Sequence, residues 1–203
     1  MIKTRNLKNW RFNAIRSFIT YGFLRDNVVL AGGSLRTFVD PKDQVQDFDL
    51  FFLGEETREI KDKLEDEIKA KGGKKSFQCK EDELRSFELH GMKIQFISIK
   101  NKKYSSVEHL LDSFDINASR FALTVEGDYL FLHFTEQSVR DVKKKHITIN
   151  TVTYPVATLK RICKFKEKGY NVTLAAKEFV QQVSKNSEGM DSEGMDLETV
   201  YVD

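Results

Sequence analysis

Apolar positions recur along this chain with two different periods, and each change of period marks an element. Over residues 6–25, Leu7, Trp10, Phe12, Ile15, Phe18, Ile19 and Phe23 keep mostly helical spacing, which predicts an amphipathic helix. Residues 27–31 read as a buried strand closed by Gly32-Gly33. Ser34 is placed to cap a short helix over residues 35–39, and Pro41-Lys42 falls in a loop. A strand over residues 48–53 follows. The charged segment 55–71 carries Ile60, Leu64 and Ile68 four residues apart, predicting a helix stopped by Gly72-Gly73.

The second half repeats the alternation. Residues 76–80 and 84–89 read as neighbouring strands. In 92–99 both alternating faces carry apolar residues, so both are partly buried. Ser105 with Glu108 forms a capping-box pattern for a helix ending near Leu111. Residues 115–123 are mainly apolar, and the strand 129–134 is placed to pair with them across Glu126-Gly127-Asp128. Helices are predicted over 135–145, 156–168 and 173–183. From about Asn186 the chain writes Ser-Glu-Gly-Met-Asp twice, and this polar, acidic stretch predicts a flexible tail. The expected organisation is a core over 1–145, a small helical cap over 146–185 and a tail over 186–203.

Composition narrows the setting. The 203 residues suit one domain with a small appendage, and 40% hydrophobic residues, including 16 Phe, suffice for a core. A formal net charge of +2 means that any attraction to nucleic acid comes from a local patch. Cys79 and Cys163 have no metal-ligand spacing and fit a reducing compartment. The N-terminus, with Lys3, Arg5, Lys8 and Arg11, has no apolar signal region, and no apolar run reaches the length of a membrane span. A cytoplasmic protein without membrane attachment is expected.

The chemistry concentrates in residues 28–53. On a strand, Asp47 and Asp49 project to one face while Phe48 points to the other. Two carboxylates side by side repel, and a cation relieves them. Mg²⁺ (or Mn²⁺) suits a few carboxylates completed by phosphate oxygens and water. A pair of such ions about 3.5–4 Å apart can clamp both oxygens of a phosphoryl transfer. Gly32-Gly33 lets backbone N–H groups approach a phosphate at a helix start, and Ser34 adds a hydroxyl. Arg36 is within reach of a phosphate oxygen or a carboxylate. A Gly-Gly-Ser turn alone, or an Asp-x-Asp alone, is an ordinary feature; their spacing and apolar framing make the combination specific.

"LAGGSLRTFVD" followed by "DFDLFF" resembles the signature of the polymerase-β-like nucleotidyltransferases, and most of all the head domain of CCA-adding enzymes and bacterial poly(A) polymerases. Gly32, Gly33 and Arg36 match their Gly-Gly-x-x-Arg. The resemblance implies an α+β nucleotidyltransferase fold: a mixed central sheet flanked by helices, with a short helical C-terminal cap. It also implies an enzyme in which Asp47 and Asp49 hold the metal, Gly33 and Ser34 hold the triphosphate, and Arg36 contacts phosphate or braces the site. The implied reaction moves NMP from an NTP to a hydroxyl and releases pyrophosphate.

The sequence departs from that pattern in places. Gln95 stands on the strand where many members carry a third carboxylate, with Glu88 a candidate substitute. "SFDINASRFAL" echoes a ribose-contacting motif through Asp115, Asn117 and Ala118 without its Arg pair; a turn-forming Asp-x-Asn is the alternative. Lys160, Arg161, Lys164, Lys166 and Lys168 lie on the predicted helix 156–168, either contacting triphosphate or RNA backbone or forming a solvated face. None of His90, His109, His133 and His146 has the spacing of a ligand set. The Glu-Asp-x-x-Arg base-reading motif is not visible, so a minimal core with a short cap is expected. The expected partners are an NTP and an RNA or tRNA end. Transfer to a protein or small molecule is the alternative, as is a non-catalytic nucleotide-binding module.

Overall fold

The computed structural model describes residues 1–7, 13–54, 57–79, 84–98 and 103–187. Its centre is an eight-stranded mixed sheet with the order β1-β8-β7-β2-β3-β6-β5-β4. The strands are β1 (Ile2–Asn6), β2 (Val28–Ala31), β3 (Asp47–Phe52), β4 (Lys74–Gln78), β5 (Leu84–Leu89), β6 (Met92–Ile97), β7 (Phe121–Glu126) and β8 (Tyr129–Thr135). Within it β3 and β6 pair in parallel, joined through helix α2 (Thr57–Ala70) and the β4–β5 hairpin, and the other neighbours are antiparallel. The remaining helices are α1 (Asn13–Thr20), α3 (Val107–Asp112), α4 (Glu136–Lys144), α5 (Pro155–Glu167) and α6 (Leu174–Ser187). Two short strands, β9 (His146–Ile147) and β10 (Asn171–Val172), pair in parallel and tie the segment after α4 to the chain after α5.

The two faces of the sheet are unequal. Phe48, Leu50 and Phe52 of β3 point into the larger core, where Ile15 and Phe18 of α1 and Leu64 and Ile68 of α2 meet them. Phe18 stacks on Phe48 with centroids 4.5 Å apart. Ile162 and Phe165 of α5, with Tyr170, join this same core. The opposite face has a smaller cluster, in which Phe51 packs with Tyr104, Leu110 and Leu111. That thinner cover leaves room at one end of β3.

Several local expectations change. Residues 2–6 form an edge strand; its burial is mostly exposed, so no apolar alternation announces it, and pairing with β8 alone defines it. The helix expected over 6–25 is α1, and its Trp10 and Phe12 lie outside the described residues. Ser34 caps no helix: residues Gly33–Phe38 form a 3₁₀ helix with Gly32 as its N-terminal flank. α3 is capped by Ser106, whose hydroxyl accepts from the His109 N–H, and not by Ser105. α4 has a capping box between Thr135 and Ser138. α6 runs through Asn186 to Ser187, and the remainder of the expected tail lies outside the described residues. No helix among the described residues is long and apolar enough to cross a membrane.

Candidate functional site

The neighbours of β3 decide what its two carboxylates face. β2 runs antiparallel to it with Ala31 opposite Asp49. The chain leaving Ala31 therefore turns level with Asp47, which brings Gly32-Gly33 beside the acids. On the other side β6 runs parallel, with Lys93 opposite Asp47 and Gln95 opposite Asp49. Alternation along the strand sends Phe48 and Leu50 into the large core and leaves Asp47 and Asp49 on the thinly covered face. Both are nearly buried, 7% and 5% exposed.

Gln95 lies between them. With its amide nitrogen towards the acids it donates to Asp49 Oδ1 at 3.0 Å and Asp47 Oδ2 at 3.3 Å. Its oxygen then accepts from Lys93 Nζ at 3.3 Å and from Ser86 Oγ at 3.2 Å. This orientation gives each amide atom partners of the right polarity, whereas the reverse sets an acceptor against two carboxylates. Lys93 Nζ is also 3.8 Å from Asp47 Oδ2. An ammonium and an amide thus lower the repulsion between the acids.

The turn is built for close approach. Gly32 has φ 93° and ψ −146°, a backbone conformation that side chains disfavour, and its N–H donates to Phe121 O at 2.9 Å. A β-carbon there would lie 3.4 Å from Asp49 Oδ2. Ser34 is 4% exposed and its Oγ has no hydrogen-bond partner. Ser34 lines a small cleft together with Gly33, Arg36, Gln44, Gln46, Asp47 and Lys168.

Arg36 is held from three sides. Its Nε donates to Asp43 Oδ2 at 2.7 Å, its guanidinium sits 5.0 Å from the centre of the Phe165 ring, and Gly33 packs beneath it. Tyr170 meets Phe165 edge-on at 4.8 Å, and Lys145 lies over Tyr170 while pairing with Asp40 at 2.8 Å. Through Phe165, α5 is thereby keyed to the Gly-Gly turn.

The other sequence candidates fall elsewhere. Asp115, Asn117, Lys160, Arg161 and Lys164 are not among the residues lining the cleft. Asp115 Oδ2 accepts from Thr158 Oγ1 at 2.7 Å and from Arg161 Nη1 in a close ion pair. Asn117 donates to Thr148 Oγ1 at 3.1 Å and accepts from Arg120 Nη1 at 3.1 Å. Lys160 is exposed, and Glu88 is exposed on β5. Sequence reasoning passed over Gln44, Gln46 and Lys93. Only Lys93 left a signal: it stands two residues before Gln95, on the same face of the strand expected to carry a third acid.

The donor set suits a hard divalent cation in part. Two carboxylates offer oxygen ligands; Asp47 lines the cleft with Ser34, whose buried hydroxyl has no hydrogen-bond partner, whereas Asp49 is not among the lining residues. Among the described residues no group of three or more His, Cys, Asp or Glu side chains could hold a metal ion by itself. Phosphate and water oxygens would have to complete the coordination.

Comparison with known proteins bears on the fold. Residues 5–145 match the family described as Gabija anti-defense 2 family protein. The chain belongs to that family. No curated protein is significantly similar to it. Among solved structures, a CCA-adding enzyme in complex with ATP superimposes with a TM-score of 0.66 at 16% identity, over 91% of this chain and 47% of that one. The Thermotoga maritima CCA-adding enzyme complexed with tRNA gives 0.65 at 17% identity, over 90% and 46%. A tRNA nucleotidyltransferase with primer tRNA and an incoming ATP analog gives 0.56 at 19%, over 84% and 50%. The chain spans about half the length of these proteins or less. At such identities the likeness establishes the fold: this Gabija anti-defense 2 family chain has the nucleotidyltransferase head fold, with a mixed sheet flanked by helices.

Proposed function

We propose that the protein is a metal-dependent nucleotidyltransferase that moves NMP from an NTP to a hydroxyl acceptor. The observation that carries this reading is the buried Ser34 hydroxyl, without a hydrogen-bond partner, on a residue that lines a cleft with Gly33 and Asp47. A buried hydroxyl without a partner is costly, and a phosphate oxygen would satisfy it. Asp47 and Asp49 would hold Mg²⁺ or Mn²⁺, which neutralises charge on the phosphates and activates the attacking hydroxyl. Gly33 and Ser34 would position the triphosphate, and Lys168 would offset its charge. Arg36, occupied by Asp43 and Phe165, braces the turn. Gln95 sets the spacing of the acids in place of a third carboxylate. The core, cap and tail boundaries at 145 and 185 belong to the same proposal, as does a cytoplasmic location.

An RNA or tRNA end is the acceptor favoured by the exposed Lys160 and Lys166 on α5. A protein acceptor is the second reading, and the family's description favours it: countering a defence system fits modification of one of its components. Incubation with each α-³²P-labelled NTP, Mg²⁺ and either total RNA or lysate protein tests both. Label on either acceptor, lost in Asp49→Asn, is the expected result. Equal label with Asp49→Asn, or none with any NTP, would overturn the catalytic reading in favour of a nucleotide-binding module.

A further inference from the structure

Lys93 stands where the fold would leave the carboxylate pair open to a second strand. Parallel pairing sets it opposite Asp47, and strand alternation puts Lys93 and Gln95 on one face, so both meet the acids. Its Nζ is 3.8 Å from Asp47 Oδ2 and 3.3 Å from the Gln95 oxygen. Gln95 is 3% exposed, while the Lys93 side chain is 39% exposed. The amide is therefore fixed, and the ammonium has solvent to swing into. Arg36 contrasts with it: 3% exposed, bonded to Asp43 and covered by Phe165, it has nowhere to go.

We propose that Lys93 is a built-in counter-cation for the carboxylate pair, held by Gln95, which a divalent metal ion must displace. This rests on the reading of Asp47 and Asp49 as metal-holding residues. A bare metal ion meets a site whose charge is already partly neutralised, so it binds weakly. A metal ion arriving with a triphosphate brings new anionic oxygens for the released ammonium, so the two bind together. Lysine suits this role because its single charge rides on a flexible stem, unlike a guanidinium locked by several hydrogen bonds. The site would then stay closed to free metal and accept the metal–nucleotide complex.

Mn²⁺ binding without nucleotide, followed by electron paramagnetic resonance, tests the proposal. An opposite charge at this range biases a carboxylate by about tenfold or more. Lys93→Met should therefore bind Mn²⁺ about tenfold more tightly than the wild type, Lys93→Arg should stay near the wild type, and Asp47→Asn should bind least. Melting in EDTA supplies the second measurement: Lys93→Met should melt below the wild type, and Mn²⁺ with a non-hydrolysable NTP should narrow the gap. Equal or weaker Mn²⁺ binding by Lys93→Met, or a melting gap that metal and nucleotide leave unchanged, overturns the counter-cation role while leaving the metal-holding role of the acids intact. If neither protein binds Mn²⁺ even with the nucleotide, the metal-holding reading itself falls and this inference falls with it.

Discussion

A β-carbon on Gly33 would lie 2.9 Å from Arg36 Nη1 and 3.1 Å from Nη2. Since Arg36 is pinned by Asp43 and Phe165, it cannot yield freely. Gly33→Ala should cost about 1–3 kcal/mol, the range for overpacking a tight site. In an Arg36→Met background the cost should shrink, and a double-mutant cycle by chemical denaturation measures the coupling. Additive costs would remove Arg36 as the cause. Ser34→Ala has the opposite sign for the free protein. Removing a buried hydroxyl that has no partner should leave stability unchanged or raise it by up to about 1 kcal/mol, while NTP affinity falls. Thermal melts with and without NTP read both quantities. A destabilised variant with unchanged NTP affinity would mean that the hydroxyl serves the fold alone.

At the scale of elements, β8 carries a buried titratable side chain. His133 is buried between β1 and β7, with Thr4 Oγ1 3.0 Å from Nδ1 and Thr124 Oγ1 2.8 Å from Nε2. Burial lowers its pKa below the ordinary histidine value, against a smaller opposing pull from Glu108 and Glu126. The unfolded chain therefore takes up a proton first as pH falls through about 6.5, while the folded protein keeps a neutral ring. Stability from this group is complete above that pH and declines below it, by at most about 1.4 kcal/mol per pH unit, until the folded ring also protonates. His133→Gln should remove a one-proton component from the pH dependence of unfolding between pH 7 and 5. An unchanged slope would move the titration to another group. The docking of α5 depends on a different pair. Asp115→Ala strips Arg161 and Thr158 of their shared acceptor and should cost about 1–3 kcal/mol. A variant as stable as the wild type would show that the helix is held by Ile162 and Phe165 alone.

For the whole molecule the open quantity is the acceptor, and charge separates the readings. Lys160 is exposed, whereas Lys168 lines the cleft. If RNA is the acceptor, log affinity should fall with log salt by roughly 0.7 per phosphate contacted. Lys160→Glu with Lys166→Glu should flatten that slope and leave NTP binding nearly unchanged. Lys168→Glu should weaken NTP binding instead. An RNA slope indifferent to Lys160 and Lys166 would leave the protein acceptor as the better reading. These contrasts exist because long-range contacts sorted the α5 cations: Arg161 meets an acid 46 residues earlier, and periodicity along one helix does not report such a partner.

What the sequence alone determined is local. Apolar residues at alternate positions of β3, and glycines where β2 must turn, fix which side chains share a face, because strand geometry repeats every two residues. That placed Asp47 and Asp49 together, and the resemblance of the surrounding motif to the nucleotidyltransferase signature implied the fold. Other features were invisible for reasons of the same kind. β1 has an exposed, polar pattern, and only its hydrogen-bonded partner β8 makes it a strand. Ser34 has the residue type of a helix cap, yet the turn tightens into a 3₁₀ helix and leaves its hydroxyl buried without a hydrogen-bond partner. The ammonium of Lys93 beside Asp47, and the Gln95 amide between the acids, follow from the register of β3 against β6, strands more than 40 residues apart in the chain. Register between distant strands is set by the packing of the whole sheet, so only the tertiary structure decided what surrounds the two carboxylates.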